Sequence, residues 1–139
     1  MRNQLVLRVV AKFLIPFILM YGLYVQMHGE YSPGGGFQAG VIFASAFILY
    51  CLLNGIKKTF KIISIDGLRI LCVIGVLLYA GVGVVSMLMG GNYLNYSVLL
   101  PDPVSGQKLG VTLIELGVGI TVFSVMLLIF LVIVNRKEQ

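Results

Sequence analysis

The sequence predicts an all-α integral membrane protein of four transmembrane helices with both termini cytoplasmic. Three observations lead there. Of 139 residues, 59% are hydrophobic and only 11% charged, with a mean hydropathy of +1.03, against about 45–50% and about 25% in an ordinary soluble domain. A folded domain of this size cannot hide so much apolar surface from water. Second, the apolar residues gather in four runs long enough to cross about 30 Å of hydrocarbon at about 1.5 Å per residue. Third, nine of the ten Lys and Arg fall on one side if the helices alternate. A soluble enzyme, a nucleic-acid binder and a disordered chain are excluded together. Lipid-exposed strands are excluded as well, because the runs are too long and lack a two-residue alternation.

The first span is read at 9–27, with Lys12 near its entry and Pro16 in its first half. Arg2 and Arg8 before an apolar run resemble a secretory signal, but the run has full span length and no A-x-A-like cleavage site follows. It is expected to be retained. An outer loop at 28–36 leads to the second span at 37–56, which has no charge. The inner loop at 57–69, KKTFKIISIDGLR, puts Ile56, Phe60, Ile63 and Gly67 on one helical face and Lys57, Lys58 and Lys61 on others. That pattern fits a short helix in the headgroup interface or a solvated charged turn. The third span, 70–89, is uncharged, and an outer loop at 90–110 precedes the fourth at 111–134, whose only charge is Glu115. The chain 1–139 is thus one membrane domain.

Basic residues fix the direction. Arg2, Arg8 and Lys12, then Lys57, Lys58, Lys61 and Arg69, then Arg136 and Lys137 share one side, and Lys108 stands alone opposite. Excess Lys and Arg stay in the cytoplasm. The net charge of +5 is therefore a matter of topology, and no nucleic-acid partner is implied. Cys51 and Cys72 lie toward that same side and read as small apolar fillers, since the cytoplasm keeps thiols reduced.

Glycine makes up 17 of 139 residues, well above its usual share of about 7%. Gly36, Gly40 and Ala44 recur four apart along the outer half of span two, span three carries Gly75, Gly81, Gly83 and Ser86, and span four carries Gly117, Gly119, Thr121 and Ser124. Small residues at such spacing let another helix approach closely. They serve packing inside one bundle or contact with other subunits. Three small-faced spans exceed the needs of one compact bundle, so some faces are expected to meet other subunits.

The outer loop runs His28-Gly29-Glu30-Tyr31-Ser32-Pro33-Gly34-Gly35-Gly36-Phe37-Gln38-Ala39-Gly40. Pro33 fixes φ while the glycines open backbone angles closed to other residues. Amides in such a turn can bind a carbonyl, an anion or a neighbouring loop. A tight turn between close helices accounts for Pro33 and some glycines, but not for a triple glycine followed by Phe-Gln. No nucleotide-binding pattern is present.

Glu115, four residues past Val111, is placed about 6 Å below the expected helix start. Intramembrane acids mark proton or cation routes. The alternatives are a carboxylate reaching the interface, or a charge favoured by the macrodipole at the start of its own helix. His28 and Glu30 are loop groups on the same side, either solvated or part of that route. With one His in the chain, no multi-histidine metal site exists, no cofactor is implied, and no catalytic set of residues is found. Enzymatic chemistry is not expected.

The runs Tyr24-Val25-Gln26-Met27-His28-Gly29 and Ser32-Pro33-Gly34-Gly35-Gly36-Phe37-Gln38-Ala39-Gly40-Val41-Ile42 resemble the signature of the B subunit of Mrp-type multisubunit Na+/H+ antiporters, the MnhB or MrpB family. Gly110-Val111-Thr112-Leu113-Ile114-Glu115-Leu116-Gly117-Val118-Gly119 is similar to that family's last span, and the likeness covers essentially the whole chain. The family often has His where Glu30 stands. The resemblance implies one of about seven different membrane subunits in a bacterial cell membrane, exporting Na+ in exchange for entering H+. The large antiporter-like subunits would hold the lysine-lined proton channels, leaving this chain a non-catalytic part in assembly and in the outer part of an ion path. Pro33, Gly34, Gly35, Gly36, Phe37, Gln38, Gly40 and Ala44 would then form a subunit-contact or gate segment, and Glu115 a polar anchor or ion relay. Two other readings compete. A self-sufficient four-helix exporter working as a homodimer would need an acid in its first span, which is absent here; a pure membrane scaffold would take no part in transport.

Overall fold

The computed structural model describes residues 5–29 and 33–137, so Glu30 lies outside the described residues. Five helices follow in order: α1 (Leu5–Met27), α2 (Gly36–Asn54), α3 (Ile56–Ile62), α4 (Ile65–Leu88) and α5 (Pro103–Lys137), with a 3-10 turn at Tyr96–Val98. No strand occurs among the described residues. All but α3 are long and apolar enough to cross a membrane. They stand in a row ordered α1, α2, α5, α4, with α1 also touching α5. Most of α1 is therefore exposed, including Phe13, Phe17 and Met20.

The helices overrun the apolar runs because caps, not hydropathy, decide where a helix begins. Ser64 Oγ accepts a hydrogen bond from Gly67 N at 3.0 Å and starts α4 five residues before 70. Asp102 Oδ2 accepts from Ser105 N at 3.0 Å and from Ser105 Oγ at 2.6 Å. With Pro103 at the first helical position, it starts α5 eight residues before 111. These bonds hold the Asp102 carboxyl below its ordinary pKa, so the cap is intact at neutral pH and lost as pH falls through the lowered value. In the expected run 37–56, Gly55 at φ +88° ends α2. The chain then turns into α3, a helix where the alternative was a solvated charged turn: Ile56 and Thr59 are buried, Lys57, Lys58 and Lys61 exposed.

A cluster of Cys51, Ile56, Leu68, Leu127 and Leu131 closes this basic end, with Phe47 and Phe123 edge-on at 5.3 Å nearby. Buried hydroxyls are satisfied within their own helices, Ser86 on Val82 O at 2.9 Å and Ser124 on Ile120 O at 2.8 Å. Hydrocarbon offers them no other partner.

Glycine sets how closely α5 approaches both neighbours. A Cβ on Gly75 of α4 would stand 2.9 Å from Gly117 O, and one on Gly40 of α2 would stand 2.7 Å from Gly119 O. Gly36 and Gly40 are buried against α5 of the same chain, and Ala44, next on the stripe, is buried too. Of the two readings of this stripe, packing within the bundle is the one seen at Gly36 and Gly40, which meet Glu115 and Gly119 of α5, where backbone approach supplies the dispersion contacts that hold helices together in lipid. In the connection from α4 to α5, the Tyr93 ring covers Gly83 and the Tyr96 ring covers Gly110. Leu94 holds φ +62° there.

Gly36→Ala is expected to force α2 and α5 apart and destabilise the chain by about 1–3 kcal/mol, as overpacking does. Gly81→Ala, into open space on a helix, is expected to leave stability unchanged or raise it. Thermal midpoints of the two variants in detergent compare them directly.

Candidate functional site

Polar groups meet where the C-terminal end of α1, the start of α2 and the first half of α5 converge. The carbonyl of Val25 accepts hydrogen bonds from His28 N at 3.4 Å and Gly35 N at 3.3 Å. The loop is thereby folded back across the end of α1. A Cβ on Gly34 would stand 3.0 Å from that same carbonyl, so a side chain there would break the fold-back. Gly35 caps α2 at φ +116° and accepts from Ala39 N at 3.1 Å, a conformation glycine alone adopts readily.

The Glu115 carboxylate fills the space these missing side chains leave. Its Oε1 and Oε2 lie 2.6 and 2.9 Å from where a Cβ of Gly29 would stand, and Oε1 lies 3.0 Å from that of Gly35. Gln38 Oε1 lies 3.9 Å from the same Gly35 point. Glu115 is half-buried, and its own carbonyl is what presses on Gly36. It stands 12 residues into α5, since the helix begins at Pro103. This corrects the expected depth of about 6 Å and removes the macrodipole of its own helix as a cause, because that effect fades within one turn. The helix start beside the carboxylate is that of α2, whose unpaired N–H groups favour a negative charge.

The loop motif divides by side. Gly35, Gly36, Gly40 and Ala44 face inward and are buried, whereas Pro33, Phe37 and Gln38 are exposed, Phe37 at 61%. His28 is half-buried; its Nδ1 lies 3.0 Å from Tyr24 O and its ring stacks on Tyr24 at 4.1 Å. Among the described residues no three His, Cys, Asp or Glu gather as metal ligands.

Gln26 is a site residue that sequence reasoning passed over, taking it only as part of a motif. Its Oε1 lies 2.8 Å from where a Cβ of Gly119 would stand. It is the carboxamide in a hollow of about 380 Å³ lined by Leu23, Phe43, Phe47, Leu116 and Phe123 between α1, α2 and α5. The available signal was a glutamine one residue from the end of an apolar run. Among the described residues, the Glu115 carboxylate stands by Gly29 and Gly35 with Gln38 Oε1 close to the same Gly35 point, while Gln26 lies one turn along α5, at Gly119.

The family described as "Domain related to MnhB subunit of Na+/H+ antiporter" matches residues 6–128. The antiporter subunit mnhB2 of Staphylococcus aureus, in strains Newman, JH1 and COL alike, is 36% identical over 132 residues, which is 93% of this chain and 93% of the relative.

Gly29→Ala is expected to push the Glu115 carboxylate out of its cradle, and Glu115→Ala is expected to relieve that crowding. A double-mutant cycle on thermal stability should give a coupling of about 0.5–3 kcal/mol, as for residues in contact. Additive effects would mean that carboxylate and loop do not constrain each other.

Proposed function

The chain belongs to the family of domains related to the MnhB subunit of Na+/H+ antiporters, and from that premise we propose that it is a non-catalytic subunit of a multisubunit antiporter exporting Na+ in exchange for H+. Its place is a bacterial cell membrane, in an assembly of about seven different subunits. Both termini and α3 face the cytoplasm, a direction supported by nine of ten basic residues on that side. The site at Glu115 then opens outward.

The observation that carries this reading is the Glu115 carboxylate held against Gly29 and Gly35. A carboxylate lodged in a glycine cradle at a helix start takes up and releases a proton or cation where the loop meets the outer water. That is a station on the outer part of an ion path. His28, beside Gly29, and Glu30, the next residue in the sequence, are the further candidates for that path. Pro33, Phe37 and Gln38, exposed on the outer rim, are the part of the motif left to meet a neighbouring subunit. The buried glycines hold the chain's own fold. Lysines of the kind that carry protons inside a membrane are missing from the middle of these helices, which supports a role beside the pumping subunits rather than as one.

Glu115→Gln keeps the shape and removes the charge. In membrane vesicles it is expected to lower Na+/H+ exchange about tenfold or more while the subunits still co-purify. The chain alone in proteoliposomes is expected to move no Na+. Full activity of the variant would reduce Glu115 to a structural anchor, and exchange by the lone chain would make it a self-sufficient transporter.

A further inference from the structure

The hollow between α1, α2 and α5 has a size and a polarity that the chain's own packing does not use. Each helix turns one stripe to it. On α5 the stripe is Leu116, Gly119, Ile120 and Phe123, the three- and four-residue steps of one helical face. On α2 it is Phe43 and Phe47, one turn apart, and on α1 it is Leu23 and Gln26. The space arises because α1 packs mainly on α2. Gly22 takes that contact, a Cβ there standing 3.3 Å from Ile42 and 3.4 Å from the Phe43 ring. Leu23 lies next around the helix, and its exposed side chain does not close the gap to α5.

Size limits the occupant. The hollow holds about 380 Å³. From Leu116 to Phe123 it extends about 10 Å, so its section is about 40 Å², against about 80–110 Å² for an α-helix that measures about 10–12 Å across with its side chains. A neighbouring helix therefore inserts no more than a side chain, and one of leucine size fills about 150 Å³, less than half of the space. Polarity runs one way. Gln26, one residue from the end of α1, is the polar side chain of the lining. Helical side chains lean toward the N-terminus of their helix, which carries this carboxamide inward to Gly119, where the absent Cβ leaves room for it. The carboxamide makes no hydrogen bond among the described residues, so its two N–H groups are open to an acceptor. The rest of the lining is leucine, isoleucine, phenylalanine and Gly119, with no charge.

We infer that this hollow binds one acyl chain of a glycerophospholipid, its ester carbonyl accepting a hydrogen bond from Gln26 Nε2 and its alkyl chain lying against Phe43, Ile120 and Phe123. The ester carbonyl belongs at the edge of the hydrocarbon, the level at which α1 ends one residue past Gln26. The chain beyond it carries nothing polar, as walls without a donor or acceptor side chain require. A long, thin occupant with one acceptor at one end matches both the section and the single carboxamide. Because no charge lines the hollow, the site does not choose among headgroups.

The site does not depend on the transport role, and its test reads bound lipid rather than ion flux. The assembly extracted in mild detergent is placed in nanodiscs of phosphatidylcholine, either the ordinary diester or a dialkyl ether form that lacks the carbonyls. Each disc carries a trace of diester phosphatidylcholine with a diazirine in its acyl chain, and after illumination the labelled peptides are located by mass spectrometry. In wild type, label is expected on α5 between residues 116 and 123. It should be about two- to tenfold stronger in the ether discs, whose host lipid competes without the hydrogen bond. Gln26→Leu should keep the label and abolish the difference between the two hosts. Leu23→Trp, at an exposed position of the lining, should fill the hollow and remove the label. Equal labelling of wild type in both hosts, or a difference that survives Gln26→Leu, overturns the proposal. So does label that reaches the hollow only after a neighbouring subunit is stripped away, which would give the space to a protein side chain.

Discussion

Backbone approach at two faces of α5 is the constraint from which the rest of the structure follows. Inside lipid there is no hydrophobic drive pushing helices together, because the tails are as apolar as leucine; contact, not burial, must hold them. Contact is greatest where no side chain stands between two backbones. Gly117 against Gly75 and Gly119 against Gly36 and Gly40 are such places. Gly117 and Gly119 are two residues apart, about 200° around the helix, so α5 holds a neighbour on each side and the helices form a row. A row leaves both outer helices largely uncovered, and the exposed faces of α1 and α4 follow from this geometry.

The same constraint places Glu115. Residue 115 lies four before Gly119, one turn up the face that meets α2, so the carboxylate emerges where α2 begins. The loop arriving from α1 must cross that point. With side chains at positions 29 and 35 it would collide with the carboxylate; without them it wraps around it. The triple glycine is therefore as much a receptacle for an acid on a distant helix as a turn. The open helix start of α2 supplies partial positive charge without a basic side chain.

Much of this was legible in the residues, and the parts that were not have physical reasons. Hydropathy reports where a chain meets lipid, so the four spans followed from composition. It does not report where a helix is capped, so α4 and α5 began earlier than their apolar runs, at Ser64 and Asp102. The small stripe on α2 was visible as a periodicity, but glycine has no side chain to indicate what lies across from it. Gly36 and Gly40 could be read toward their own bundle or toward other subunits, and α5 of the same chain lies against both. Glu115 stood out because a lone acid in an apolar run is costly. Gln26 did not, because one carboxamide near the end of a span is common and only the position of Gly119 gives it a role.

The two ends of the molecule answer opposite needs with opposite chemistry. At the end where α1 passes into α2, the Glu115 carboxylate sits where Gly29 and Gly35 lack a Cβ. At the basic end charge is plentiful and carried on long side chains that stay outside the helix contacts, with Ile56 and Leu68 sealing the interior beneath them. One end thus needs backbone without side chains, and the other side chains that reach past the backbone.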